Sequence, residues 1–354
     1  MLLMKVCRSW NQIAISTPAL WAAIRIMDAR AHGFEALVKL WLDRAQNRPL
    51  HIALHGPLVP NVRDSVHQKA HQVQDLVLFL PSSDDLRDIT TSLPFLKTLT
   101  ISQSESVPPV YFSYNADECV EILRAAPGLV DCTFNRVEYE EDVTIGGLDD
   151  QPTSQLTHAR LENLRLGRRR SPSSTRILKS LTLPALKDLV ISYLNIGYGD
   201  LLAFFTRSSP PLESLEMELG IGDEWADDRL EGLFRLVPSL TDLHLAFTTP
   251  ISTLLEVLAN GSSSSQFQFL PRLSSLTIRR SAHPTRTEYE TLVRTLSARR
   301  ASRPRMQTFR LVWWPGTTGM REHHEPDADI LLALRQLAAD GMKLHIGTED
   351  QSYV

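Results

Sequence analysis

The sequence predicts an α/β solenoid, a curved parallel sheet with helices along its outer side. Two observations carry this. A short motif, Pro followed by apolar residues two, five and seven positions later, recurs along most of the 354 residues. Between its copies lie segments whose apolar residues fall at helical steps. Strand, helix, strand in one repeating order gives right-handed crossovers and a stack in which neighbours bury each other's apolar faces.

The clearest copies are PFLKTLTI from Pro94, PALKDLVI from Pro184, PSLTDLHL from Pro238 and PRLSSLTI from Pro271. Weaker ones are PGLVDCTF from Pro127, ARLENLRL from Ala159, PPLESLEM from Pro210 and PRMQTFRL from Pro304, with HQVQDLVL from His71 as a first copy. Successive starts lie 23, 33, 32, 25, 26, 28, 33 and 33 residues apart, an irregular repeat whose L-x-x-L-x-L core resembles a leucine-rich repeat. In LKTLTI, Leu99 and Ile101 share a face because strand side chains alternate. Pro94 ends the preceding segment and lacks an N–H where none is needed.

Helices are predicted over 117–126, 199–208, 227–237, 251–260 and 287–300, several opening on Asp or Thr. The fourth closes at Asn260–Gly261, a cap and stop. GRRRSPSSTR (167–176) and NGSSSSQFQ (260–268) read as loops between repeats. A terminal helix (327–340) and the strand KLHIG cap the array. A doubly wound α/β domain would also alternate strands and helices. The repeated Pro-x-Leu-x-x-Leu and the absence of a Gly-rich phosphate loop after a strand count against it.

Ahead of the repeats, Leu3, Val6, Cys7, Trp10, Ile13 and Ala14 trace one helical stripe. Ser16-Thr17-Pro18 ends that helix and starts a short turn with Thr17 as N-cap and Pro18 at its first position. Trp21 packs back and residues 22–28 are extended. A second amphipathic helix follows, with Phe34, Leu37, Val38, Trp41 and Ala45 on one face, then a strand from Leu50 to Leu54.

The stretch VCRSWNQIAISTPALWAAIRI resembles the C-terminal half of an F-box, through Val6, Cys7, Arg8, Trp10, Ile13, Ala14, Ser16, Leu20 and Trp21. LVKLWLDRAQNRPLHIAL looks like the segment joining F-box to leucine-rich repeats in fungal F-box proteins, particularly the large mushroom-type families. The resemblance divides the chain into a partial F-box (1–28), a linker helix and first strand (29–70), and an irregular repeat solenoid with its cap (71–354). It implies a substrate receptor of an SCF-type ubiquitin ligase, its F-box docking a Skp-family adaptor and its repeats holding a protein target. Val6, Trp10, Ile13, Leu20 and Trp21 would form the adaptor-binding remnant. An F-box normally opens on Leu-Pro-x-E and a first helix, whereas Met1 falls inside the second helix of that pattern. The alternative is therefore a stand-alone leucine-rich-repeat scaffold without ubiquitin-ligase association.

Composition is that of a soluble globular protein: 43% hydrophobic, 22% charged, formal net charge −4. So small a charge gives no support to nucleic acid or an anionic membrane as partner. No apolar run approaches the length of a membrane span, and MLLMK is too short for a signal peptide. Cys7, Cys119 and Cys132 have no metal spacing and read as reduced core residues. The expected setting is cytoplasm or nucleus, and the expected state outside a complex is monomeric.

No catalytic constellation, cofactor motif or metal site is predicted. His323-His324 stand among acidic residues that suit a helix N-terminus, and adjacent histidines generally point apart. His244 faces the concave side without a nucleophile, and His51, His55, His67 and His71 match no ligand spacing. Arg168, Arg169 and Arg170 before Ser171 read as a solvated loop, a nuclear-localisation patch or a phosphorylated loop.

A partner would meet the concave strand positions. These run from Thr98 and Thr100 through Asp131, Thr133, Asn163, Arg165, Asp188, Val190, Ser214, Glu216, Asp242, His244, Ser275 and Thr277 to Thr308 and Arg310. Arg165, Glu216, Asp242, His244 and Arg310 are the candidate contacts, with Trp313 or Trp314 as an anchor. Adjacent on a strand, one of the two tryptophans must face away from the core, unless the terminal cap covers it.

Overall fold

The computed structural model describes residues 7–27, 34–56, 60–79, 93–102, 116–135, 155–167, 174–192, 197–218, 227–247, 252–260, 269–281, 283–301, 306–313 and 326–354. The chain divides into two compact units, Met1–Leu183 and Pro184–Val354.

Unit 1 opens with helix α1 (Arg8–Ser16) and a 3-10 turn, Pro18–Trp21. Strand β1 (Ala23–Ile26), helix α2 (Phe34–Ala45), β2 (Leu50–His55), α3 (Pro60–Gln68) and β3 (Val73–Phe79) follow. Then come β4 (Thr98–Ser102), α4 (Ala116–Ala125), β5 (Asp131–Asn135), β6 (Leu156–Thr157), β7 (Asn163–Gly167), α5 (Ser174–Ser180) and β8 (Leu181–Thr182). Strands β1, β2, β3, β4, β5 and β7 pair in that order, all parallel, while β6 and β8 form a separate small ladder.

Unit 2 runs β9 (Asp188–Ser192), α6 (Tyr198–Ser208), β10 (Ser214–Glu218), α7 (Asp227–Phe234), β11 (Asp242–Phe247) and α8 (Ser252–Asn260). It continues with β12 (Ser275–Arg280), α9 (Arg286–Ala301), β13 (Thr308–Trp313), α10 (Ala328–Ala339) and β14 (Lys343–Gly347). Its strands also pair in chain order and in parallel. Each unit is a stack of strand–helix repeats, and the solenoid class expected from the motif is the one observed.

All nine predicted motif strands are present, each starting two to four residues after the motif's first residue. Their Leu positions form the core: Leu99, Ile101, Cys132, Phe134, Leu164 and Leu166 in unit 1 are buried, as are Leu189, Leu215, Leu243, Leu276 and Phe309 in unit 2. A buried Leu is worth about 1.5–3 kcal/mol. Ordering one residue's backbone costs about 1–2 kcal/mol. A single repeat cannot balance that alone, so stability comes from stacking.

The Pro of the motif sits in a turn. Leu96, Leu129, Leu240 and Leu273 donate their N–H to the carbonyls of Leu93, Ala126, Val237 and Leu270 at 3.1–3.2 Å, which places the Pro at the second turn position, where its fixed φ fits. Where Ala159 replaces Pro, the buried His158 does related work. Its Nδ1 accepts from Leu161 N–H at 3.2 Å, and its Nε2–H donates to the Ala126 carbonyl of the previous repeat at 3.1 Å. Just before the strands, one carbonyl takes two N–H groups from the next repeat: Lys97 from Val130 and Asp131, Val130 from Glu162 and Asn163, Lys187 from Glu213 and Ser214. Glu213, Thr241 and Ser274 repeat the arrangement in unit 2. This contact keeps successive strands in phase.

Several local expectations change. The sheet begins at β1, ahead of the repeats. Helices α3 and α5 were not anticipated, and 174–176 belong to α5 rather than to a loop. Helix α7 stops at Phe234, three residues early, because Leu236 and Val237 already form the next turn. The inward side of α2 is Val38, Leu42 and Ala45, while Leu37 is 40% exposed; the stripe is rotated relative to the predicted one. Thr17 does not cap its turn, since its hydroxyl donates back to Ile13 O at 2.7 Å. The loop over 261–268, Arg168–Arg170, Ser171 and His323-His324 lie outside the described residues.

Helix α9 carries a capping box: Glu288 N–H donates to Thr285 Oγ1 at 3.3 Å and Thr285 N–H donates to Glu288 Oε2 at 2.7 Å. Its inner side includes polar residues. Thr295 donates to Leu255 O, and Arg299 donates to Leu258 O and Leu270 O at 2.9 and 3.2 Å. Burial pulls the Arg299 pKa down to about 10, which leaves it a cation at neutral pH, held by backbone carbonyls.

At the end of α6, Ser209 adopts left-handed backbone angles (φ 41°, ψ 51°) with its N–H on Phe205 O at 2.8 Å. Glycine adopts this conformation without the Cβ penalty. Ser209→Gly is expected to raise stability by about 0.5 kcal/mol, seen as a higher thermal midpoint; a lower midpoint would count against this reading of the cap.

Candidate functional site

Two surfaces result from this arrangement, one at the start of unit 1 and one on the sheet side opposite the helices. At the start, Trp21 is the anchor. It is 3% exposed, donates Nε1–H to Ala14 O at 2.6 Å, meets Trp41 edge-on at 5.7 Å and lies beneath the Arg44 guanidinium at 4.6 Å. This fixes the turn to α1 and α2. On α1 only Ala14 is buried; Trp10 is 50%, Ile13 59% and Leu20 in the adjoining turn 49% exposed. Of the five residues proposed to bind an adaptor, Trp10, Ile13 and Leu20 thus present apolar surface, Trp21 belongs to the chain's own core, and Val6 lies outside the described residues. Of the predicted helical stripe, Trp10 and Ile13 are turned to solvent and Ala14 is buried. Cys7 is exposed as well, contrary to its expected place in a core.

Buried Cys119 and Cys132 behave differently. Burial above all raises both thiol pKa values, so neither is a ready thiolate nucleophile.

On the open side of unit 1, parallel register aligns Asp75, Thr98, Asp131 and Asn163 in one row and Val77, Thr100, Thr133 and Arg165 in the next. His51 pairs with Asp75. His55 stacks on Phe79 at 4.1 Å and accepts from Arg25 Nε at 3.2 Å. Burial and then the Arg25 charge hold its pKa below the usual histidine value, favouring neutral imidazole.

In unit 2 the corresponding rows are Asp188, Ser214, Asp242, Ser275, Thr308 and Lys343, then Val190, Glu216, His244, Thr277, Arg310 and His345. Candidate residues Glu216, His244 and Arg310 therefore lie in one row, with Asp242 in the next. Arg165 stands on the open side of unit 1. A depression of about 80 Å³ is lined by Ser192, Glu216, His244, Thr277 and Arg279. Arg279 lies 3.9 Å from Glu216 and 3.6 Å from Glu349, and Arg310 lies 3.4 Å from Glu349. These groups are 40–46% exposed, so each pair is worth about 1 kcal/mol at most. Their arrangement bears on recognition more than on stability.

Trp313 is not an exposed anchor. It is 1% exposed, with Tyr353 stacked on it at 5.9 Å and His283 at 4.6 Å; Trp314 lies outside the described residues. The sequence reading also missed Arg279 and Glu349. Arg279 was within reach, because it continues the alternation Ser275, Thr277 by one step. Glu349 carried no local signal, since a fold-back after β14 brings it to the sheet.

Among the described residues, no three His, Cys, Asp or Glu side chains form a metal-binding group, and no helix is long and apolar enough to cross a membrane. No protein-family model matches the chain, and no curated protein matches it. Among solved structures it is similar to a chain of the crystal structure of the Rad7 and Elc1 complex in yeast, with a TM-score of 0.46 and 12% identity. The match covers 95% of this chain and 70% of that one.

Proposed function

We propose that this chain is a non-enzymatic protein-interaction module of the cytoplasm or nucleus, a substrate receptor of an SCF-type ubiquitin ligase. Its α1 and 3-10 turn dock a Skp-family adaptor, and the open strand rows hold a protein target. The observation that carries this reading is the exposure of Trp10, Ile13 and Leu20 beside the buried Trp21. The fold holds the segment in place yet leaves its apolar side uncovered, as a docking helix requires. The mixed-charge rows around Glu216, His244 and Arg310 suit a protein surface better than a lipid or nucleic acid.

The test is co-purification of the chain with a Skp-family adaptor. Trp10→Ala with Ile13→Asp is expected to lower adaptor recovery by about tenfold or more while leaving the thermal midpoint almost unchanged, because both side chains are exposed. If the unmodified chain recovers no adaptor, the receptor reading fails and a stand-alone repeat scaffold takes its place.

A further inference from the structure

After β14, residues Thr348–Val354 fold back on the strand they follow. Tyr353 N–H donates to Ile346 O at 2.9 Å, Ile346 N–H donates to Ser352 Oγ at 3.2 Å, and Thr348 N–H donates to Gln351 O at 2.9 Å. His345 Nε2–H donates to Thr348 O at 2.7 Å. The segment crosses the C-terminal ends of β12–β14. On the open side, Glu349 lies between Arg279 and Arg310. On the helix side, Tyr353 lies flat on Trp313, whose strand neighbours Phe309 and Leu311 are core residues.

The strand ends that this segment covers have the makings of a binding site. Two guanidiniums on adjacent strands converge on one carboxylate, which favours an acidic side chain. One turn of the segment away, an aromatic floor receives a ring. Buried Trp313 and Tyr289 leave Nε1–H and O–H without a partner among the described residues, so the chain's own segment does not satisfy every polar group there. The contacts holding the segment are also individually modest: half-exposed ion pairs, one ring stack and a few backbone bonds. Its geometry depends on Gly347, where a Cβ would fall 1.9 Å from Gln351 O.

We propose that these strand ends are a peptide-binding site, covered here by the chain's own residues 348–354. Its outside ligand is a segment of a partner protein with an acidic side chain and, four residues later, an aromatic one, matching Glu349 and Tyr353. The inference rests on the reading of the open side as a partner-holding surface. The internal segment competes with the partner and raises its apparent Kd by the reciprocal of the fraction of time the site is uncovered.

Anisotropy of a labelled Thr-Glu-Asp-Gln-Ser-Tyr-Val peptide tests this on the full chain, on Gly347→Ala and on the double variant Glu349→Ala/Tyr353→Ala, with circular dichroism confirming each fold. Both released chains are expected to bind at least about tenfold more tightly than the unmodified chain. Peptides carrying Glu349→Lys or Tyr353→Ala should bind the released chains about tenfold more weakly. Adding Arg279→Ala and Arg310→Ala together to Gly347→Ala should remove the preference for Glu over Lys. Equal binding by released and unmodified chains, no binding by either released chain, or equal affinity for the Glu and Lys peptides overturns the proposal. Adaptor recovery through α1 is a separate readout, so failure of the receptor reading leaves the anisotropy result standing.

Discussion

Glu288→Ala is expected to destabilise unit 2 by about 3–5 kcal/mol. Glu288 is 4% exposed and Arg280 6%, and Arg280 Nη1 donates to Glu288 Oε1 at 2.9 Å. Truncating the acid leaves a buried guanidinium without its counter-charge. The same carboxylate closes the capping box at the start of α9, so the helix loses a cap worth about 1 kcal/mol as well. Replacing both partners, as Arg280→Met with Glu288→Leu, should recover much of the loss, because no charge then stays buried. Urea unfolding followed by circular dichroism measures all three chains. A single variant within about 1 kcal/mol of the parent would mean that solvent already compensates the pair.

Trp21→Ala is expected to have the second largest effect, about 3–5 kcal/mol, confined to the start of unit 1. The side chain joins three elements: Ala14 through its Nε1 bond, Trp41 through the edge-on ring contact and Arg44 through the guanidinium above it. Contacts in a repeat stack reach only to neighbours, so the loss should not travel far. Hydrogen exchange should quicken in α1, the 3-10 turn and α2 while unit 2 keeps its protection. Unchanged exchange in α1 would show that Trp21 is not its anchor. Adaptor recovery should fall here through loss of order, whereas Trp10→Ala with Ile13→Asp should reduce it with order intact. The two experiments separate positioning from contact.

The strands were legible because two periodicities coincide. A Leu spacing that alternates faces marks each strand, and a Pro turn marks where it starts. Periodicity reports which side chains share a side, but not what covers that side. Trp10, Ile13 and Ala14 form one stripe, yet only Ala14 meets the chain itself. Adjacency of Trp313 and Trp314 predicted only that one of them would face away from the core. That Trp313 is covered by Tyr353 follows from a fold-back 40 positions further on, which no local pattern encodes. The capping box T-R-T-E at 285–288 is readable as a motif, but its second task of neutralising Arg280 exists only once strand and helix are stacked. The open rows were identified through Arg310, and alternation carried one step further reaches Arg279.

The carbonyls of Lys97, Val130, Lys187, Glu213, Thr241 and Ser274, each taking two N–H groups from the following repeat, lock the phase of the stack at the strand's beginning. The step from Pro turn to strand is constant in these repeats, so the variation in repeat length falls on the return path from strand end to the next turn. Length can therefore drift there over evolutionary time, which is how repeats of 23 to 33 residues coexist in one sheet. A lineage could lengthen or shorten a crossover by several codons without shifting any strand's register. Losing one residue between the Pro turn and the strand would instead turn the Leu side outward and be purged.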